Sequence, residues 1–307
     1  MAANIFANVT TRGVKAEFME AMDGAPTVWD KHCQIIPSDA KDENHAWLGT
    51  LPIPRHKLSG RNFQSLRDFT LTITNRTYEM SYVIDRDTAE DDQTGFVARA
   101  NQDAALAWST FHDSLFSTLI EAGTSDNAFN GTSFFNDSHT IGDSAAFDNS
   151  LAVSMTADNP TLANMEDGVK DMIAAMALFQ DDQGRVGYTS QAMTKLRLIV
   201  PATYLRRTTE LIKSQLTNSG SSNPYYLNLL EVDMLPNLTA AADDIYLSAV
   251  GRSKRMPFIY QARTNLEIVV YNSTEHIADN DGLKVLTRQR FRFGYGDPRF
   301  CVLNTGD

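Results

Sequence analysis

Residues Thr88–Gly123 read TAEDDQTGFVARANQDAALAWSTFHDSLFSTLIEAG, and this stretch specifies one long helix with a single apolar side. Val97, Ala100, Ala104, Trp108, Phe111, Leu115, Leu119 and Ala122 recur every three or four residues, the spacing that keeps side chains on one face. Glu90, Asp91 and Asp92 precede the stripe, where carboxylates suit the positive end of a helix dipole. Gly123 follows it, in the place of a left-handed cap. From Phe96 to Ala122 such a helix is about 40 Å long at ~1.5 Å per residue. A rod of that length exceeds the average globular helix, so it predicts a large body packed along it.

Upstream of the rod, Phe69, Leu71 and Ile73 alternate with three threonines, and Tyr78, Met80, Tyr82 and Ile84 alternate again. Two runs of period two around the polar pair Asn75-Arg76 predict a β-hairpin. Before them, HAWLGTLPIPRHKLSGRNFQSL is apolar yet broken by Gly49, Pro52, Pro54 and Gly60, which predicts an irregular, extended segment. Exposed Trp47, Leu48, Leu51 and Ile53 would be a liability on a monomer, so they read either as contacts to another surface or as plain core. Residues 1–42 show weak periodicity, with a short helix over Val14–Met22. They fit an arm ordered against a neighbour or a frayed terminus.

Downstream, Thr124–Asn159 is a long polar loop punctuated by Phe129, Phe134, Phe135 and Phe147, an ordered loop pinned to a surface. Pro160-Thr161 opens a helix with the stripe Leu162, Met165, Val169, Met172, Met176 and Phe179, ending near Gly184. A buried strand at Leu196–Val200 and a helix from Pro201 to about Leu216 come next. Strands at Tyr226–Met234, Ile245–Val250, Met256–Tyr260 and Leu266–Tyr271 complete what looks like a separate α/β unit. Near the end, VLTRQRFRF places Arg288, Arg290 and Arg292 on one strand face and Gln289, Phe291 and Phe293 on the other. No internal repeat of fixed period is present.

The chain has 307 residues, 42% hydrophobic and 21% charged, enough for one large domain or two smaller ones. Its net charge of −11 is the wrong sign for gripping nucleic acid, which needs cations against phosphate. Such a chain is better suited to contain DNA than to hold it. Cys33 and Cys301 are too few for a disulfide framework or a zinc site and suit a reducing cytoplasm. The opening residues lack the plan of a signal peptide, and no apolar run approaches the ~18 residues of a membrane span.

Catalytic chemistry finds little support. Among the six histidines no pair stands at i,i+3 or i,i+4, so the usual helical metal signature is missing. His112 reads as packed or solvated. His139, beside Asp137 and Ser138, is the best single catalytic candidate, but adjacent residues do not build a triad, whose members converge from separate segments. Glu90-Asp91-Asp92 could gather a divalent cation, though helix-dipole or arginine-pairing roles explain it more simply. Phosphate loops and a GxSxG elbow are absent. The arginine row either faces solvent or pairs with carboxylates of another subunit, and both readings stand. No catalytic, cofactor-binding or metal residue is assigned, and no cofactor is expected.

The run Trp47-Leu48-Gly49, Pro52, Gly60-Arg61, Tyr78-Glu79, Asp85-Arg86, Glu90-Asp91-Asp92 and Gly95, with Phe129-Asn130-Gly131, Phe134-Phe135-Asn136 and His139, resembles the Mu-type major head subunit (gpT-like) family of tailed-phage capsid proteins. The resemblance covers about Cys33 to His139; beyond that it rests on the order and size of elements. It implies an α+β chain with the HK97-type capsid fold. Its parts would be an N-terminal arm over 1–45, an E-loop hairpin over 46–86, a spine helix and loop of the peripheral domain over 87–159, an axial domain over 160–272, and a peripheral return strand over 273–307. It also implies a bacteriophage virion protein that forms pentamers and hexamers of an icosahedral shell in the bacterial cytoplasm. Scaffold, portal and decoration proteins would be partners, double-stranded DNA would be enclosed without specific binding, and no membrane would be involved. The inter-subunit contact candidates are Trp47, Leu48, Leu51, Ile53, Arg61, Glu79, Arg86, Glu90, Asp91, Asp92, Arg288, Arg290 and Arg292. Alternatives are an encapsulin-like nanocompartment shell and a metal-dependent hydrolase using Glu90–Asp92 and His139.

Overall fold

The computed structural model describes residues 11–48, 68–85, 87–88, 95–152, 160–214, 230–240, 243–251, 255–271 and 282–306. In chain order the elements are α1 (Thr11–Gly24), β1 (Cys33–Pro37), β2 (Asp42–Leu48), β3 (Asp68–Thr74), β4 (Arg76–Asp85), α2 (Phe96–Glu121), β5 (Ser150–Leu151), α3 (Leu162–Leu178), β6 (Leu196–Val200), α4 (Leu205–Lys213), β7 (Leu230–Met234), β8 (Ile245–Ala249), β9 (Phe258–Tyr271), β10 (Gly282–Tyr295) and β11 (Cys301–Asn304).

The rod is α2, 26 residues long, entered through Gly95 at φ +73, a left-handed conformation that costs glycine little. Its buried face holds Val97, Ala104, Ala105, Trp108, Phe116 and Ile120. That face sits about one position round from the apolar stripe. Leu115 and Leu119 are half-buried, and Phe111 is 36% exposed. The shift follows from polar side chains that are buried because they are bonded. Asn101 accepts from the Tyr82 hydroxyl at 2.8 Å and donates to Glu17 at 3.0 Å, and His112 donates to the Trp108 carbonyl at 2.7 Å. Gly123 does not cap the helix in a left-handed turn. The chain runs on into a 3-10 turn at Ala122–Thr124, and a side chain at 123 would meet the Phe135 ring at 2.7 Å.

α2 lies on a four-stranded sheet of order β1-β9-β10-β4, in which β1 runs parallel to β9 and the other pairs are antiparallel. The predicted pieces Met256–Tyr260 and Leu266–Tyr271 are one strand, β9, and it belongs to this sheet rather than to the second unit. Its pairing with β10 shifts register around Arg290, so an irregularity interrupts the alternation mid-strand. Val14 and Phe18 of α1 are buried in the same core, so residues 11–37 are built into the body and are neither a free arm nor a frayed end.

The second sheet has the order β5-β11-β8-β6-β7, and α3 packs over it with Met165, Val169, Met172 and Met176 in a separate core. Thr161 caps α3 by accepting from the Asn164 amide at 3.2 Å, as Pro160-Thr161 predicts. Phe129, Phe134, Phe135 and Phe147 are all buried, which pins the loop after α2 between the two cores.

The predicted hairpin is a correction. Both strands exist, but they are not partners: β3 pairs with β2, and β4 pairs with β10. Asn75 alone separates β3 from β4, too few residues for a hairpin turn. It is also held elsewhere. Its side-chain amide donates to the Ser38 hydroxyl at 2.7 Å and the Ala40 carbonyl at 2.8 Å, and its backbone N–H to Lys41 at 2.8 Å. β2 and β3 therefore form a separate two-stranded ladder.

Candidate assembly surfaces

The ladder's root is built from short polar links. The Glu43 carboxylate accepts from the Ser38 hydroxyl and from the amides of Asp39 and Ala40 at 2.7–3.0 Å, and these bonds hold its carboxyl below the usual range. His45 Nε2 meets Gln261 of β9 at 2.7 Å, and that glutamine donates to the Ile73 carbonyl at 3.2 Å. Trp47 and Leu48 stand at the far end of the ladder, in register with Phe69 and Asp68. Leu51, Ile53, Arg61, Arg86, Glu90, Asp91 and Asp92 lie outside the described residues.

The face of the four-stranded sheet turned away from α2 carries Arg288. Gln289, Phe291 and Phe293 are buried while Arg288 is exposed and Arg290 and Arg292 are half-buried, the split expected from alternation. Three cross-strand rows make up this face. Val83, Lys284 and Tyr271 form one, Ser81, Leu286 and Val269 the next, and Glu79, Arg288 and Glu267 the third. Val83, Val269, Tyr271 and Leu286 are 59%, 49%, 45% and 36% exposed. Arg288 approaches Glu267 at 3.4 Å with both side chains about half in solvent, so it already has an intrachain partner. Arg292 borders a crevice with Tyr78, Leu115, Leu119 and Asp126. Where β4 meets α2, Tyr78, Glu79, Met80, Ala107, Trp108 and Phe111 line a groove of about 290 Å³. The structure brings Glu79 and Arg288 side by side.

Nothing in these surfaces resembles an active site. His139 is buried, its Nε2 donating to the Phe134 carbonyl at 3.1 Å and its Nδ1 facing the Asn130 amide at 3.0 Å, while the ring stacks on Phe147. Burial pushes its pKa down, and both nitrogens are engaged, so it braces the loop instead of catalysing. Burial likewise pushes the Cys33 and Cys301 thiols up, away from the reactive thiolate. Among the described residues no three His, Cys, Asp or Glu side chains are placed to hold a metal, and no helix is long and apolar enough to cross a membrane.

A long helix along one sheet, a second sheet completed by β11 and a separately rooted ladder make up a fold shared with solved capsids. The procapsid protein of bacteriophage JBD30 matches with a TM-score of 0.53 at 17% identity over 96% of this chain and 73% of that one. A virus-like particle from Pyrococcus furiosus matches with a TM-score of 0.57 at 10% identity over 96% and 98%. At such identities the likeness is one of fold, and the fold is the HK97-type capsid fold. The sequence then fixes the family. Residues 7–168 match the model of the Mu-like prophage major head subunit gpT, and the chain belongs to that family, a structural one. The major capsid protein of Escherichia phage Mu is 26% identical over 140 residues, 43% of this chain and 46% of that protein. The Mu-like prophage FluMu major head subunit of Haemophilus influenzae is 25% identical over 162 residues, 50% of this chain and 53% of that one. The chain thus spans about half the length of the curated relatives it matches.

His45, Gln261 and Glu43, which help fix how the ladder leaves the body, were not singled out by sequence, and Asn75 was read with Arg76 as a hairpin turn. Their partners are remote.

Proposed function

We propose that this chain is the repeating subunit of a tailed-phage head, a virion protein that assembles with copies of itself into pentamers and hexamers of an icosahedral shell. The observation that carries this reading, beside family membership, is the ladder itself: a two-stranded element clamped at its root and seated on the body through Ile73, Leu71 and Phe69, whose strands are linked in sequence by residues 49–67. From Ala46 to Arg67 the sequence it carries holds Trp47, Leu48, Leu51 and Ile53, four cations (Arg55, Lys57, Arg61 and Arg67) and no carboxylate. The outward face of the four-stranded sheet offers the complement, exposed Val83, Val269, Tyr271 and Leu286 beside Glu79 and Glu267. A ladder tip laid on the neighbouring copy's sheet would bury apolar area and pair charges of opposite sign, the heterologous contact that closes rings.

In this reading the ladder with residues 49–67 is the E-loop. α1, β1, β4, α2, β9 and β10 form the peripheral domain, and α3 to β8 with β5 and β11 the axial domain. Arg61, Arg86, Glu90, Asp91, Asp92, Arg290 and Arg292 remain contact candidates. The excess of 38 acidic over 27 basic residues supports a container that encloses double-stranded DNA without gripping it. Scaffold, portal and decoration proteins, and assembly in the host cytoplasm, follow from the same proposal.

The test is assembly of tip and face variants. Leu51→Glu with Ile53→Glu, and separately Glu79→Lys, are expected to remain folded by circular dichroism and to lose shells in electron micrographs. Normal shells from both would remove the ladder-on-sheet contact. Shells that enclose a cargo enzyme and no DNA would move the chain to the nanocompartment reading.

A further inference from the structure

The two sheets are joined by a buried charge cluster centred on Asp233 of β7. Its Oδ1 accepts from Lys31 Nζ at 2.7 Å, and its Oδ2 from His32 Nε2 at 3.2 Å and Arg197 Nη1 at 2.5 Å. Lys31 and His32 come from the turn before β1, a strand of the other sheet, and reach across 202 and 201 positions of sequence. Arg197 of β6 also pairs with Glu231, which Lys195 approaches at 3.3 Å. Burial alone would raise the Asp233 carboxyl, but the bonds from His32, Lys31 and Arg197 hold it far below the usual range, so it stays ionised.

His32 differs from the other buried histidines. His139 has a partner at each nitrogen, and His112 donates through Nδ1 to Trp108 while its Nε2 faces the Tyr260 hydroxyl at 3.4 Å. His32 donates through Nε2 to Asp233, is fully buried against the Phe116 ring of α2, and its Nδ1 has no partner among the described residues. Charged groups around the ring are Lys31, Arg197, Asp233 and Glu231; Asp30 and Asp113 lie by the adjoining turn and Cys33.

We propose that His32 is an acid-operated release for this joint: a proton on Nδ1 puts an N–H in the core with no acceptor among the described residues and adds a cation beside Lys31 and Arg197, so the turn at Trp29–Lys31 and β1 part from β7. Burial pushes the folded His32 pKa down, Asp233 opposes it through its hydrogen bond and charge, Arg197 and Lys31 add to the burial, and the balance lies below the ordinary value. The joint therefore holds fully above about pH 6.5 and weakens as the pH falls through that value toward the folded pKa. This inference does not depend on the shell reading.

Hydrogen–deuterium exchange of the full chain at about pH 7.5 and about pH 5, with labelling times scaled to equal intrinsic rates, reads the joint directly. Peptides covering 28–37 and 230–235 are expected to open more at the lower pH, up to about tenfold per pH unit. Peptides around His112 and His139 are expected to change little. His32→Gln keeps an N–H donor toward Asp233 but cannot titrate, and should leave those peptides equally protected at both values. Equal protection of the wild type at both pH values, or equal loss in the glutamine variant, overturns the proposal. If the variant does not fold, the ring resonances of His32 in the wild-type chain decide. Titration near pH 6.5 with both peptides still protected contradicts the release; titration that follows their opening supports it.

Discussion

Asp297 is wholly buried, and its carboxylate is matched atom for atom: Arg299 donates through Nε at 2.8 Å, through Nη2 at 2.7 Å and through its backbone amide at 3.1 Å. The guanidinium also lies 4.0 Å from the centre of the Tyr188 ring. Burial would raise the Asp297 carboxyl, yet Arg299 outweighs it and holds the carboxyl below its ordinary range. Stability from this group is present above about pH 4 and is lost as the pH falls through the folded pKa. Asp297→Asn leaves a buried guanidinium short of its countercharge and should cost about 3–5 kcal/mol in urea unfolding at neutral pH, a deficit that narrows in acid. A deficit that does not change with pH would contradict the pairing. Gly123→Ala tests a different force. The added carbon would stand 2.7 Å from the Phe135 ring, so a loss of about 1–3 kcal/mol is expected from overpacking. An unchanged midpoint would show that the ring gives way freely.

At the scale of elements, the ladder's direction depends on Asn75, which replaces a hairpin with a clamp. Asn75→Ala removes two side-chain hydrogen bonds and leaves the Ala40 carbonyl with the Ser38 hydroxyl, which Glu43 also draws on. It should cost about 1–3 kcal/mol and speed amide exchange across 38–48, with β9 unaffected. Equal exchange in the variant would mean that the Glu43 bonds and the His45–Gln261 link hold the root without Asn75. α2, α3 and β6 were legible from local pattern, α2 by its period, α3 by its period and the Thr161 cap, and β6 by its unbroken apolar run, whereas Gly123 was no guide to how α2 ends. The partners of β3 and β4 were not legible, since alternation marks a strand but not its partner. β10 and Asn75's acceptors at 38–41 decide those pairings from far along the chain. The same distance hid Asp233, whose bonds reach back to Lys31 and His32. The arginine row was readable because alternation on one strand is local, but Arg288's bond to Glu267 needed the neighbouring strand.

Over the whole molecule, two cores are fastened to each other by the Asp233 cluster and by the loop phenylalanines, while the ladder leaves the body from a polar clamp. Such a body presents an apolar and charged sheet face that nothing in the described residues covers. Trp108→Ala would weaken the body rather than the contacts between bodies. It removes a buried ring and its bond from Nε1 to Thr287 Oγ1 at 2.8 Å, for about 3–5 kcal/mol by thermal or urea unfolding. The central claim concerns copies, not the monomer. Sedimentation velocity across concentration and salt, alone and with a scaffold partner, tests it most directly, with electron micrographs of each boundary. The account predicts species the size of rings and closed shells, many times the 34.1 kDa chain. A single 34.1 kDa species under every condition would contradict it.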